Sequence, residues 1–397
     1  MFVSSQTPEG CPDPYPMSGS HSPGRIALAL IAALIGLGGA TAHAQVFSPD
    51  GSRLAAVEDL GVLSLYDATS GRVLWTVADP QRAGVNSLGF TSDGRRIAAG
   101  GWDRWEADEP GGGRPDAGGH YGGRGFIGAK GGKVRVLEAA DGREVRTIAG
   151  LPLGIVAVSF LGPGGKQIII VDTDFRVTVH ALDTGRVAFA MNDLAAPGRG
   201  HVGPGISPAF GADGRRIVLP AEATQAGVRL NVWDLEGHRA RRLDLPAPAS
   251  GPVALTPDGT RLFVGQYHLI AGAASGGRDR AERWLRERDL ATGEIVAGPA
   301  PMRIQLVLWG LLAISPDGAL IVTVGEEATP GEAGTLMVWD SRTGRRLREI
   351  RDTHGQPRAV AFLAGRVRVA SNSTERDPAN GFLKVAPLTI WEFELSR

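Results

Sequence analysis

The side chains best suited to chemistry crowd into one Gly-rich stretch. Glu106, Asp108, Glu109 and Asp116 gather carboxylates there, and His120 adds an imidazole. Such a set could hold a hard cation through oxygen ligands. Its spacing matches no defined calcium loop, however, and the run reads as a solvated acidic segment without a metal. Trp105 and Tyr121 belong to the same stretch and are better suited to recognition, since exposed aromatics are enriched among interface anchors. The glycines between Gly111 and Gly132 lack the strand–loop–helix setting that aims backbone N–H groups at phosphate. No Gly-x-Ser-x-Gly elbow, His-Glu-x-x-His pair or phosphate-binding loop with Lys occurs. These residue types point to a non-enzymatic binding protein with no cofactor.

What must position them is a short phrase repeated along residues 45–397. It opens with an apolar residue, a turn and a second apolar run. The copies are Phe47-Ser48-Pro49-Asp50-Gly51, Phe90-Thr91-Ser92-Asp93-Gly94, Phe210-Gly211-Ala212-Asp213-Gly214, Leu255-Thr256-Pro257-Asp258-Gly259 and Ile314-Ser315-Pro316-Asp317-Gly318. Degenerate copies at 160–165 and 362–365 bring the count to seven. Pro presets φ, Asp bonds nearby backbone, and Gly takes the positive-φ position. An alternating third run such as Val134-Arg135-Val136-Leu137 leads to a second turn marked by Gly, such as Arg342-Thr343-Gly344. A more polar fourth run closes most units. Seven copies of four strands, a to d, predict an all-β, seven-bladed β-propeller of four-stranded antiparallel blades.

Polarity by strand supports that reading. Strands a and b are short and nearly all apolar, as in Ile168-Ile169-Ile170-Val171, which suits sheets covered on both faces. Strand d carries Arg at alternate positions, as expected of an exposed edge protected from stray pairing. Only Glu394 to Arg397 follow the third run of the last copy, so that blade is expected either to have three strands or to be closed by residues near 40–45.

The third strand often ends in an aromatic followed by Asp, at Tyr66-Asp67, Trp233-Asp234 and Trp339-Asp340. On these dipeptides and the Ser-Pro-Asp-Gly turns, residues 45–397 resemble the WD40 repeat family, in its bacterial form. Leu137-Glu138, Arg288-Asp289 and Trp391-Glu392 replace the dipeptide elsewhere. The resemblance implies a protein-interaction platform, with any effector domain on a separate chain. It also implies structural roles for Asp103 and for the set His354, Ser371 and Trp391. A second likeness is narrower. Residues 67–75, ending in Trp75, look like the tryptophan-docking repeat of quinoprotein dehydrogenases, but the Trp occurs once and Arg146 and Arg348 hold the matching positions. The enzymatic alternative is therefore a propeller of quinoprotein dehydrogenase or lactonase type.

Composition and the N-terminus bear on compartment. Lys plus Arg and Asp plus Glu number 42 each, so no net field draws the chain to nucleic acid or an anionic membrane. Arg25 precedes an apolar run over 26–40, followed by Ala42-His43-Ala44. That order predicts a signal peptide over 1–44, with Met17 a possible true start, and a periplasmic or secreted protein; a monomer is expected. Cleavage would remove the single cysteine, Cys11. An uncleaved segment would act as a membrane anchor.

The long insertions are expected on one face. Links between strands b and c open on the same side of a propeller as links between blades. The long ones span 103–132, 267–282, 326–334 and 373–386, and the link between blades three and four spans 192–205. Long loops on a rigid scaffold commonly carry function. Trp105, His120, Tyr121, Arg199, His201, His268, Arg278 and Arg280 are the expected contacts for an unidentified protein partner.

Overall fold

The computed structural model describes residues 44–59, 62–78, 84–105, 129–194, 209–211, 214–224, 227–246, 249–269, 281–296, 302–304, 311–325, 335–351, 353–372, 374–376, 383–385 and 388–395. They form seven antiparallel sheets arranged as the blades of a β-propeller. Blade one contains β1 (Gln45–Phe47), β2 (Arg53–Asp59), β3 (Val62–Asp67) and β4 (Val73–Ala78). Blade two contains β5 (Gly84–Phe90), β6 (Arg96–Trp105), β7 (Ala129–Glu138) and β8 (Glu144–Leu153). Blade three contains β9 (Ile155–Leu161), β10 (Gln167–Asp172), β11 (Val177–Ala181) and β12 (Val187–Met191). Blade four contains β13 (Ala209–Phe210), β14 (Arg216–Thr224), β15 (Gly227–Asp234) and β16 (Arg239–Pro246). Blade five contains β17 (Ala249–Leu255), β18 (Arg261–Leu269), β19 (Ala281–Asp289) and β20 (Met302–Ile304). Blade six contains β21 (Leu312–Ile314), β22 (Leu320–Gly325), β23 (Thr335–Asp340) and β24 (Arg346–Ile350). Blade seven has three strands, β25 (Gln356–Leu363), β26 (Arg366–Asn372) and β29 (Thr389–Glu394), and a small hairpin of β27 (Thr374–Arg376) and β28 (Leu383–Val385) between the last two.

The a–b turns share one hydrogen-bond plan. Ser48 Oγ donates to Asp50 Oδ1 at 2.6 Å, the amide of Ser52 donates to the same carboxylate, and the amide of Arg53 donates to Ser48 Oγ. Thr91 with Asp93, Thr256 with Asp258, and Ser315 with Asp317 repeat it. The hydroxyl hydrogen bond holds each carboxyl below the usual carboxylate range, to about 2 for Asp258. The core lies between blades. Ile169 and Val171 of blade three pack with Ile217, Leu219 and Trp233 of blade four, and similar clusters fill the other junctions.

Strand d does more than protect an edge. Trp75, four residues after Gly71, donates its indole N–H to the Ala139 carbonyl of blade two at 3.1 Å. Its ring lies so close over Gly142, at φ 73°, that a Cβ there would meet it at 2.9 Å. The same position in later blades has the same task. Arg146 donates to the Leu182 and Asp183 carbonyls of blade three, Arg241 to Leu290 O of blade five, and Arg348 to Glu394 O of blade seven. Phe189 packs edge-on against His238 of blade four, with ring centroids 4.4 Å apart. Two residues further along each strand d, Val77, Ile148, Met191, Leu243 and Ile350 enter the core shared with the next blade. The alternate arginines are thus cross-blade latches, each followed by an aliphatic residue on the same face.

The ring closes differently. Blade seven packs on blade one through β25 and β1, with Ala359, Ala361 and Ala370 against Phe47, Leu54 and Tyr66. Arg368, 6% exposed, spans the junction. Its guanidinium donates to Gly51 O at 2.6 Å, to Thr69 Oγ1 at 3.2 Å and to Glu392 Oε1 at 2.6 Å.

Candidate functional site

Strand b sets the height of the face opposite the a–b turns. In blades two to five it begins two residues after the turn glycine, at Arg96, Gln167, Arg216 and Arg261. Any extra length therefore emerges at the b–c end. β10 stops after 6 residues, whereas β6 runs for 10 and β14 and β18 for 9. At about 3.3 Å per residue, the hairpins of blades two, four and five rise roughly 10 Å above that of blade three. Blade four turns back at once, pairing Thr224 with Gly227. Blades two and five carry 106–128 and 270–280 on their tips, and blade seven adds its own hairpin, where Glu375 pairs with Lys384.

These stems shorten the loops expected from sequence. Trp105 is the last residue of β6 and its backbone pairs with Ala129. His268 lies within β18 and pairs with Glu282 rather than standing in a loop. Period-2 alternation is weak in both segments, so their pairing was not legible as strand. His120, Tyr121, Arg199, His201, Arg278 and Arg280 lie outside the described residues, as do Glu106, Asp108, Glu109 and Asp116.

The short blade-three turn is built around a half-buried acid. Asp172 Oδ1 accepts the amides of Asp174 and Arg176, at 2.9 and 3.0 Å, while Arg176 pairs with Asp174 at 3.3 Å. Burial pushes the Asp172 carboxyl up to about 6 despite those donors. Phe175 adopts φ 61° and is buried beneath the turn. This acid was not singled out from sequence, because its burial depends on the neighbouring blade.

The aromatic at the end of strand c has four different settings. Trp339 donates its indole N–H to Thr323 Oγ1 and Trp391 donates to Ser371 Oγ, each at 3.0 Å. His354 stands edge-on to Trp391 at 5.8 Å, so the His354, Ser371 and Trp391 set does assemble within blade seven. In blade four the matching strand-b residue is Leu219, and the buried Trp233 N–H has no partner. His180 and Arg288 take the aromatic's place in blades three and five. Each bonds the carbonyl of its own turn glycine, Gly185 at 3.0 Å and Gly293 at 2.7 Å. Among the described residues, no cluster of three or more His, Cys, Asp or Glu is arranged to hold a metal, and no helix is long and apolar enough to cross a membrane.

Comparison with known proteins agrees with this architecture. A family model described as "WD domain, G-beta repeat" (WD40) matches residues 71–105, which run from strand d of blade one through strands a and b of blade two. No curated protein matches the chain. Among solved structures, one titled "Kuenenia stuttgartiensis Hydrazine Synthase" is similar, with a TM-score of 0.57 and 13% identity over 89% of this chain and 96% of that one. At that identity the likeness is one of fold. The matched repeat, the recurring turn chemistry and seven sheets built to one plan make the chain a seven-bladed β-propeller with a WD40 repeat matched at residues 71–105.

Proposed function

We propose that the protein is a non-enzymatic, exported bacterial interaction platform that binds a protein partner through the b–c face. The observation carrying this reading is the unequal height of the hairpins, since β6–β7 and β18–β19 extend well beyond the b–c turn of blade three. Latches between blades keep the stems fixed, and preorganised stems lower the entropic cost of binding. The absence of net charge favours a mixed polar and aromatic contact over an electrostatic one. Trp105 and Tyr121 would supply anchors, and His120, Arg199, His201, His268, Arg278 and Arg280 the polar contacts around them.

Affinity capture from the native host's envelope fraction tests this. The intact protein is compared with one in which 108–128 is replaced by a short Gly-Ser link. The reading expects a partner retained by the intact protein and lost by the variant, with both showing the same thermal unfolding. Equal capture by both, or recovery only from a cytosolic fraction, would contradict it.

A further inference from the structure

Strand c of blade five turns two arginines toward blade four. Arg286 and Arg288 stand opposite Val264 and Leu262, on the face that packs against Leu243 and Leu245. Arg288 is 3% exposed and donates one Nη to Gly293 O, yet its Nε is buried without a partner. The Nε of Arg286 is buried and unpartnered as well. Burial, and after it the Arg286 charge, hold the Arg288 guanidinium below the usual arginine range. Among the described residues no carboxylate answers either of them. Glu287 lies on the opposite face and pairs with Arg261 at 2.7 Å, Asp289 accepts the Thr292 amide, and Glu294 is exposed. Asp244 of blade four pairs with Arg229, and Arg241 of that blade reaches across to Leu290 O as a third cation.

Blade two shows what blade five lacks. Arg135 holds the position of Arg286, and its Nε donates to Glu144 Oε2 at 2.9 Å. Glu144 comes two residues after the turn glycine Gly142 and pairs with Leu137. Two residues after Gly293 comes Ile295, which pairs with Arg288. Blade five thus keeps the arginine, loses its carboxylate and gains a second cation in place of Leu137. The next residues, Ala297-Gly298-Pro299-Ala300-Pro301, bring no acidic side chain. In blade three the same two positions, Thr178 and His180, satisfy each other at 3.2 Å, which two guanidiniums cannot do.

We propose that Arg286 and Arg288 form a binding site for a divalent tetrahedral oxyanion, a phosphate or sulfate group, between blades four and five. The two residues are about 6.7 Å apart along the strand, a span that one such anion bridges with an oxygen to each guanidinium. Two buried cations call for two negative charges, and a monocarboxylate would leave one of them uncompensated. The site lies toward the c–d turn, away from the b–c face, so it is separate from the surface proposed for a protein partner. A free ion and a phosphate monoester share this chemistry.

Calorimetric titration and thermal unfolding of the full chain test the proposal at about pH 8, where a phosphate group carries close to two charges. Sulfate, inorganic phosphate and O-phosphoserine are the probes, with sodium chloride matching the ionic strength. Saturable one-to-one binding and a rise in the unfolding midpoint are expected, and the tightest of the three identifies the source as free ion or monoester. Arg286→Met copies the residue at this position of blade six, Met337, and should weaken binding at least about tenfold. Ile295→Glu restores the carboxylate of blade two. It should raise the midpoint in anion-free buffer and abolish binding, so that loss of binding there is not loss of fold. A midpoint that rises no more than in chloride, equal binding by Arg286→Met, or undiminished binding by Ile295→Glu would each overturn the proposal.

Discussion

Blades six and seven share their inner construction and differ in what lies outside it. Each pairs strands a, b and c in the same order, and each bonds its strand-c Trp to a strand-b hydroxyl. Blade six then adds β24, whose Arg348 latches onto blade seven and also lies over the Phe393 ring at 5.2 Å. Blade seven has no such strand among the described residues and holds blade one through Arg368 and Glu392 instead. Trp339 is 4% exposed, whereas Trp391 is only half-buried. A polar latch inside the sheet thus holds blade seven to blade one, and among the described residues the outer edge of β29 is unpaired. Closure and completeness are separate properties here.

Breaking the latch should have the largest effect. Arg368→Met removes donors from Gly51 O and Thr69 Oγ1 and leaves Glu392 without its closest cation, which should cost about 3 kcal/mol in urea denaturation. Arg348→Met, at the more exposed junction of blade six, should cost about 1 kcal/mol. Equal losses would mean that closure of the ring is no different from its other junctions.

The strand-c Trp sharpens the comparison with a third blade. Trp339→Phe deletes a buried hydrogen bond and leaves Thr323 unpaired, while Trp233→Phe deletes an N–H that already lacks a partner. The first should cost about 1 kcal/mol more than the second. Matched losses would show that the indole hydrogen bond contributes nothing to a blade.

Blade six also carries the Asp that the a–b turn of blade seven, Ala364-Gly365, lacks. Because the Asp317 carboxyl is lowered in the folded protein, chiefly by the Ser315 hydroxyl, its contribution is present above the unfolded value near 4 and is lost as pH falls through the folded one. Asp317→Ala should therefore cost less than about 1 kcal/mol at pH 7, and that cost should shrink as pH falls below about 4. A cost that persists unchanged into acid would show that the carboxylate is not the stabilising group.

Turn chemistry made the fold legible. Each Pro-Asp-Gly and Thr-Gly pair acts locally, so the number of blades and their strand order follow from short windows of sequence. Junctions are a different matter, because a latch is defined by the blade it reaches. Arg146 and Arg348 stood at the position of Trp75 in sequence, but only the packed blades reveal that guanidinium and indole donate to equivalent carbonyls. Arg368 carries no local signal at all, since Gly51 and Thr69 lie at the other end of the chain. Trp105 and His268, expected in loops, belong to extended hairpin stems, whose length is set by pairing rather than by composition.

Hydrogen exchange on the full chain, read strand by strand, tests most directly whether blade seven is closed yet incomplete. Among the described residues, β23 is paired on both sides and β29 on one. Alternate amides of β29 should exchange at least about a hundredfold faster than the matching amides of β23, while those of β25 and β26 stay as slow as the rest of the core. Equal protection of β29 and β23 in the free protein would contradict the account, because it would mean that a strand already fills the outer edge.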